Sequence, residues 1–324
     1  MIRRTSVKTY LRRYNARVAA APRWRRMEIL LRDTLVELGH EVLEQEWEAE
    51  GGEARGDSAF AILPHATRRE RPDADLFFKE MHLAGLFTVD VDGWGVEHSA
   101  VRRGIDFESV DAEAAIARVA VLRKRIIAAN LSRLPQPEGG EAPSPGYFLL
   151  PLQRQGDSVI TDHSPISVVA MLDAVSDWAE RRRRRVAVKL HPFSHDDPGV
   201  IEAVERRTRS SSCVSLVRGN IHALLAAAHG VFVINSSSGF EALLHARPVA
   251  TFGDCDYARV TFAATAATID DAAAWCDAYG PRQRARTAQF VDWYLSRHGY
   301  YVGDDDLAAT GERLRGYLAA VVPS

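Results

Sequence analysis

The chain has 324 residues, 46% of them hydrophobic and 26% charged, with a net charge of −2. That is enough for two domains of ordinary size, each with a real core, and the near-neutral balance gives no global reason to expect a nucleic-acid partner. No apolar run approaches the roughly 20 residues that span a bilayer, and the basic N-terminus lacks the apolar stretch of a secretory signal. The three cysteines, Cys213, Cys255 and Cys276, form no CxxC pair and fit a reducing compartment, so the expectation is a cytoplasmic protein.

In chain order, Arg3, Arg4, Lys8, Arg12, Arg13, Arg17, Arg23, Arg25 and Arg26 crowd the start, with Tyr10, Leu11, Tyr14, Val18 and Trp24 interleaved. Two readings stand: a solvated helix face packed on its domain, or a basic arm in peripheral contact with the inner membrane or a charged glycan. Residues 27–48 read as one helix, with Ile29, Leu30, Leu35, Val36, Leu38, Val42 and Leu43 as its apolar face, before Gly51 and Gly52 break the chain. "SAFAILP" (58–64) and "LFTVDVD" (86–92) read as strands, and 111–131 as a long helix with Asp111 near its start. "SRLPQPEGGEAPSPG" (132–146), with four prolines and three glycines, reads as a linker. It places the domain boundary between 1–140 and 141–324.

The second half alternates. Strands are expected at 147–152, 186–190, 213–217, 231–235 and 248–253, and helices at 165–183, 197–208, 220–229 and 239–246, with more helix over 282–322 that would pack back on the first domain. Short, wholly apolar strands alternating with helices imply a parallel sheet covered on both faces. Ligands of such sheets sit beyond the carboxyl ends of the strands.

Three strand ends carry polar residues. Gln153, Gln155, Asp157, Ser158 and His163 follow the first. The carboxylate suits a nucleophile or base, and the same residues suit a capping turn. Lys189, His191 and Pro192 follow the second. Lysine and histidine there can donate to phosphate or carboxylate oxygens, and the segment also reads as an ordinary polar loop. Asn235, Ser236, Ser237, Ser238 and Gly239 follow the third and lead into a helix, whose free N–H groups attract an anion. Glu241 then suits a ribose diol. A capping box from Ser238 to Glu241 would explain one serine but not three. The acid pairs Asp73/Asp75, Asp90/Asp92 and Asp254/Asp256 give weak grounds for a metal, and no P-loop or GxGxxG is present. The arginines at 181–185 suit a helix C-terminus and solvent.

"QRQGD", "DSVITDHSP", "VKLHP" and "NSSSGFEALLHARPV", in this order, resemble the capsule polysaccharide biosynthesis family that includes the retaining β-Kdo glycosyltransferases. "GWGVEHSA" (93–100) adds a match in the first half, with Trp94 and Ser99 as acceptor-site candidates. The resemblance implies an α/β, GT-B-like enzyme of two Rossmann-like domains, an N-terminal acceptor domain and a C-terminal donor domain for CMP-β-Kdo. By the Gln153-x-x-x-Asp157 match, Asp157 would attack the anomeric carbon, with Gln153 and His163 beside it. His191 with Pro192, and the turn from Asn235 to Gly239, would bind the CMP phosphate, and Lys189 would suit the sugar carboxylate. Retention requires a carboxylate at the anomeric centre. A single phosphate can be met by N–H groups, a histidine and a helix end, so no metal or other cofactor is expected. After "GDCDYA" the chain departs from the family's Pro-Gly loop and reads "RVTFAATAAT". The expected function is transfer of Kdo or a related acidic sugar from CMP to a glycan or glycolipid. The alternatives are a UDP-type donor and a non-catalytic polysaccharide-assembly factor.

Overall fold

The structure, a computed structural model, describes residues 8–13, 22–46, 60–104, 106–139, 142–194, 197–303 and 307–323. Its two compact units are Met1–Ile105 with Tyr294–Ser324, and Asp106–Trp293.

The first unit contains β1 (Lys8–Arg13), α1 (Pro22–Glu37), β2 (Glu41–Glu46), β3 (Phe60–Pro64), β4 (Leu76–Glu80), β5 (Leu86–Asp90) and α2 (Ser99–Arg103). The basic start is therefore not an arm where it is described. Lys8–Arg13 is an inner strand between β3 and β2, because Thr9 and Leu11 fall on one face of the pleat and both are fully buried. Arg23 pairs with Glu80, Arg25 with Glu28 and Glu44, and Arg26 donates to the Val302 carbonyl, so the helical arginines are used inside the unit. Arg3, Arg4, Arg17, Tyr14, Val18, Gly51 and Gly52 lie outside the described residues. The expected 27–48 helix ends eleven residues early, at Glu37. Gly39, at φ +93, turns the chain, and 41–46 pairs with β1 as a parallel strand.

The second unit contains α3 (Ala112–Ala128), β6 (Tyr147–Pro151), α4 (Ser158–Thr161), α5 (Val168–Arg182), β7 (Val186–Lys189), α6 (Pro198–Ser210), β8 (Val214–Val217), α7 (Ile221–Ala227), β9 (Ala228–Val233), α8 (Ser237–Leu244), β10 (Val249–Thr251), β11 (Phe262–Ala263) and α9 (Ile269–Asp277). Its sheet runs β11-β10-β9-β6-β7-β8, and every pairing is parallel, as the alternation implies. Phe148 stacks on Phe232 at its centre and Trp178 meets both edge-on, with ring centroids 4.8 to 5.6 Å apart. Helix α5 starts at the Ser167 cap, whose Oγ accepts from the Ala170 amide, and not at Pro165.

Helix α10 (Pro281–Arg297) brings the chain back to the first unit. There β12 (Tyr300–Tyr301) joins β5 antiparallel, and α11 (Leu307–Val321) adds Leu314 and Leu318 to the core of Trp24, Met27 and Leu31. The C-terminal helix thus packs on the N-terminal unit, as expected. Both units are Rossmann-like α/β layers.

The unit boundary differs from the expected one. It falls at Ile105/Asp106, and the Pro/Gly-rich segment lies within the second unit. Its polar groups explain why. Asn220 donates to Asn130 Oδ1 (2.7 Å) and to the Pro137 carbonyl (2.9 Å), and the Ile221 amide donates to Gln136 Oε1 (3.2 Å). Backbone that is paired in this way is fastened to α7 and does not act as a tether. Among the described residues no helix is long and apolar enough to cross a membrane.

Candidate functional site

The strands β9, β6 and β7 are neighbours in the middle of the second sheet. The three polar segments read from the sequence therefore leave the sheet side by side, at its carboxyl edge. The serine turn follows β9, Asp157 follows β6 and His191 follows β7. Two strand spacings are about 10 Å, a span that one phosphorylated sugar can bridge.

The middle segment is braced before it is exposed. Gln153, buried at the end of β6, donates from Nε2 to Asn235 Oδ1 at 2.9 Å, and the Asn235 amide donates to Gln153 Oε1 at 3.2 Å. Asn235 Nδ2 donates to the Val159 carbonyl at 2.6 Å. These bonds occupy the side chains expected to meet substrate. Gln153 and Asn235 hold the loops, and they do so because polar groups buried beside a sheet need partners. Asp157 caps the short α4, with its Oδ1 3.4 Å from the Val159 amide, and its carboxylate stands exposed. His163 is half-buried. Its carbonyl takes the Asp254 amide at 2.8 Å and lies 2.9 Å from where a Cβ on Gly253 would be, so it ties the segment to the end of β10.

On the β7 side, the His191 carbonyl accepts the Ser194 amide at 2.9 Å and its Nδ1 accepts the Phe193 amide at 3.2 Å, around an exposed Pro192. Burial holds the His191 pKa below the ordinary histidine value, the Asp157 charge pushes it up and Arg154 pushes it down. Asp157 and His191 thus feel each other across adjacent strand ends. Lys189 points elsewhere. Its Nζ donates to the Gly219 carbonyl at 2.9 Å, and burial lowers its pKa against the opposing Glu241 charge.

On the β9 side, Ser236 is the cap of α8, with its Oγ accepting the Ser238 amide at 3.2 Å. The capping box between Ser238 and Glu241, the competing reading of this turn, does not form, because the helix starts two residues earlier. Ser237 and Ser238 are half-buried, and their hydroxyls bond to no other described residue. A helix N-terminus with two uncommitted hydroxyls can hold an anion. Gly239 serves a different neighbour from the one expected. A Cβ there would sit 2.4 Å from the Tyr257 hydroxyl, and that hydroxyl donates to the Ser236 carbonyl at 2.5 Å. Tyr257 is a support the sequence reading missed. It lies in "GDCDYA", fully buried, with no periodicity to mark it.

Glu241 is a wall residue in this structure, 2% exposed and closed to a ribose. Burial raises its carboxyl from 4.5 to about 7, opposed by the Ser132 hydroxyl, the Arg133 amide and the Lys189 charge, and its Oε1 has no hydrogen-bond partner among the described residues. One helical turn on, His245 Nε2 meets His222 Nδ1 at 3.1 Å, and His222 Nε2 meets the Leu131 carbonyl at 3.1 Å. A carbonyl only accepts, so His222 carries its proton on Nε2 and receives the His245 Nε2–H. Burial, with His222, Arg123 and Arg247 nearby, lowers His245 to about 3. Glu241 on α8 and His222 on α7, the latter backed by His245, therefore close on 131–133 as a carboxyl and a neutral imidazole.

Trp94 and Ser99, expected at an acceptor site, are committed within the first unit. Lys79 Nζ lies 3.1 Å from the centre of the Trp94 ring, and the Trp94 residue is 7% exposed. The Ser99 amide and hydroxyl both donate to Asp90, at 2.8 and 2.5 Å, beside the amides of Asp92 and Gly93. Asp90 is thus a loop clasp, Asp73 pairs with Arg71, and Asp75 accepts the Ala61 amide. Among the described residues no three metal-ligating side chains gather.

The sequence profile of a family described as "Capsule polysaccharide biosynthesis protein" matches residues 100–278. No curated protein matches the chain. Among solved structures, Thermosulfurimonas dismutans KpsC, beta Kdo 2,7 transferase, is similar with a TM-score of 0.57 at 14% identity, over 98% of this chain and 100% of that one. Thermosulfurimonas dismutans KpsC, beta Kdo 2,4 transferase, gives 0.53 at 17% identity, over 97% and 98%. These likenesses establish the fold, which is GT-B-like.

Two outcomes follow from the site's supports. Gly239→Ala is expected to cost about 1–3 kcal/mol through the Tyr257 clash, and Tyr257→Phe, which removes the nearest atom, to recover part of that loss. Denaturant titrations of the two single variants and the double variant measure it, and simple additivity would contradict the packing described. For Glu241, the folded chain keeps a proton between pH 4.5 and about 7 that the unfolded chain has released, so this group lowers stability as pH rises through that window. Glu241→Gln should therefore gain Tm relative to the native chain on going from pH 5 to pH 8. A constant difference would show that the carboxyl is not held up by burial.

Proposed function

The chain belongs to the capsule polysaccharide biosynthesis protein family, and on that premise we propose that it is a glycosyltransferase. It moves Kdo, or a related acidic sugar, from a CMP-activated donor to a glycan or glycolipid. The observation that carries this reading is the order β9-β6-β7, which sets an exposed carboxylate between a histidine loop and a helix N-terminus with free hydroxyls.

Asp157 attacks the anomeric carbon from the middle position. The bond to the CMP phosphate breaks with its electron pair on the phosphate, and the sugar is left on the carboxylate. An acceptor hydroxyl then displaces Asp157, its proton passing to the released carboxylate, and two inversions leave the configuration unchanged. Charge on the departing phosphate is met by the N-terminus of α8, the Ser237 and Ser238 hydroxyls and His191, donors already in place before the bond breaks. A single phosphate met by this many donors needs no metal in this scheme. Gln153, Asn235 and Tyr257 act by holding those groups, and His163 by anchoring the Asp157 segment to β10.

Asp157→Ala should abolish transfer from CMP-Kdo while CMP affinity stays within a few-fold. Near-normal turnover in that variant, measured by CMP release with a Kdo-bearing acceptor, would remove the double-displacement reading.

A further inference from the structure

We infer that Phe193 is a positioning residue for His191. Its backbone amide fixes the imidazole as the Nε2–H tautomer, so that His191 meets an anion as a neutral donor and not as a base. The phosphate side of this statement rests on the proposed function, and the tautomer does not.

The geometry leaves one assignment. The Phe193 N–H lies 3.2 Å from His191 Nδ1, and an amide N–H can only donate, so Nδ1 must present its lone pair. A neutral ring then carries its proton on Nε2. The same turn holds the bond in place. Pro192 has a fixed φ, and the Ser194 amide closes onto the His191 carbonyl at 2.9 Å. The Phe193 ring lies with its centroid 5.6 Å from that of the imidazole, tilted at 52°, although the residue is 45% exposed. His98 shows that this is a local habit of the chain, for its Nδ1 likewise accepts the amide two residues on, from Ala100 at 3.1 Å.

The charged groups that face His191 are Asp157, which favours the cation, and Arg154, which opposes it, while burial favours the neutral ring. With Nδ1 occupied, Asp157 cannot orient the imidazole through that nitrogen, as the acid of a catalytic triad does. His191 is thereby barred from acting as an Asp-assisted base, and its free N–H is left for a ligand oxygen. The sequence gives Phe193 no role, because the signal is a main-chain group.

The test is a long-range proton–nitrogen correlation spectrum of the full-length protein carrying 15N-histidine, with H191A for assignment. The expected result at pH 7 is the Nε2–H pattern, kept in F193A, which retains the amide, and lost to a tautomer mixture in F193P, which lacks it. Should the proline variant not fold, the native chain and F193A decide. D157N should lower the His191 pKa without changing the tautomer. An Nδ1–H pattern or an imidazolium in the native chain at pH 7 would overturn the inference, as would a tautomer switch in D157N. Added CMP should shift the Nε2–H resonance. An Nε2–H tautomer indifferent to CMP upholds this inference and removes the phosphate role of His191 from the proposed function.

Discussion

The reciprocal amide pair between Gln153 and Asn235 is the constraint on which the rest of the second unit's edge depends. It joins the ends of two neighbouring parallel strands, β6 and β9, where the sheet's own ladder stops. Each partner is sheltered, and an unpaired buried amide costs about 1–3 kcal/mol. The pair therefore sets the starting point of both following segments. Asn235 also reaches the Val159 carbonyl, which fixes the short α4 and with it the Asp157 cap. Tyr257 completes the arrangement by holding the Ser236 carbonyl from beneath. Asp157 and the serine turn are thus positioned by Gln153, Asn235 and Tyr257. Such preorganisation is what a site for developing charge requires.

Helix α8 shows how one short element divides its labour. Its first turn presents Ser237 and Ser238 outward. Its body is buried between β9, β10 and the 130–137 segment, with Phe240 and Leu243 apolar and Glu241 and His245 polar. The polar pair would be costly in isolation. It is tolerated because the Ser132 hydroxyl, the Arg133 amide and the Lys189 charge favour the Glu241 carboxylate, while His245 stays neutral against His222. The 130–137 segment is also bonded to Asn220, next to the Gly219 carbonyl that takes Lys189.

Much of this was legible in the sequence, for physical reasons. Strands such as Tyr147–Pro151 are buried on both faces, so they read as short apolar runs between helices, and the parallel sheet and its productive edge follow. Which residues cluster at that edge was therefore readable. What each does there was not. A glutamine or asparagine at a strand end has the same composition signal whether it meets a ligand or another side chain, and here Gln153 and Asn235 meet each other. Glu241 read as a ribose contact because sequence does not show burial, and Gly239 read as room for a phosphate when the neighbour is Tyr257, 18 residues away. The first unit was harder. Lys8–Arg13 and Glu41–Glu46 are strands whose charged residues mask their alternation, and prolines at 135 and 137 suggested a tether where side-chain amides fasten the backbone down.

The central claim is that the edge formed by β9, β6 and β7 binds a CMP phosphate. Calorimetric titration of CMP into the protein in EDTA tests it most directly, with UDP as comparator and Ser237→Ala/Ser238→Ala as control, since Ser236 must be kept as the helix cap. The account predicts CMP binding in EDTA, weaker or no binding of UDP, and loss of CMP affinity in the double variant. No CMP binding by the folded protein, or binding that the double variant keeps in full, would contradict it.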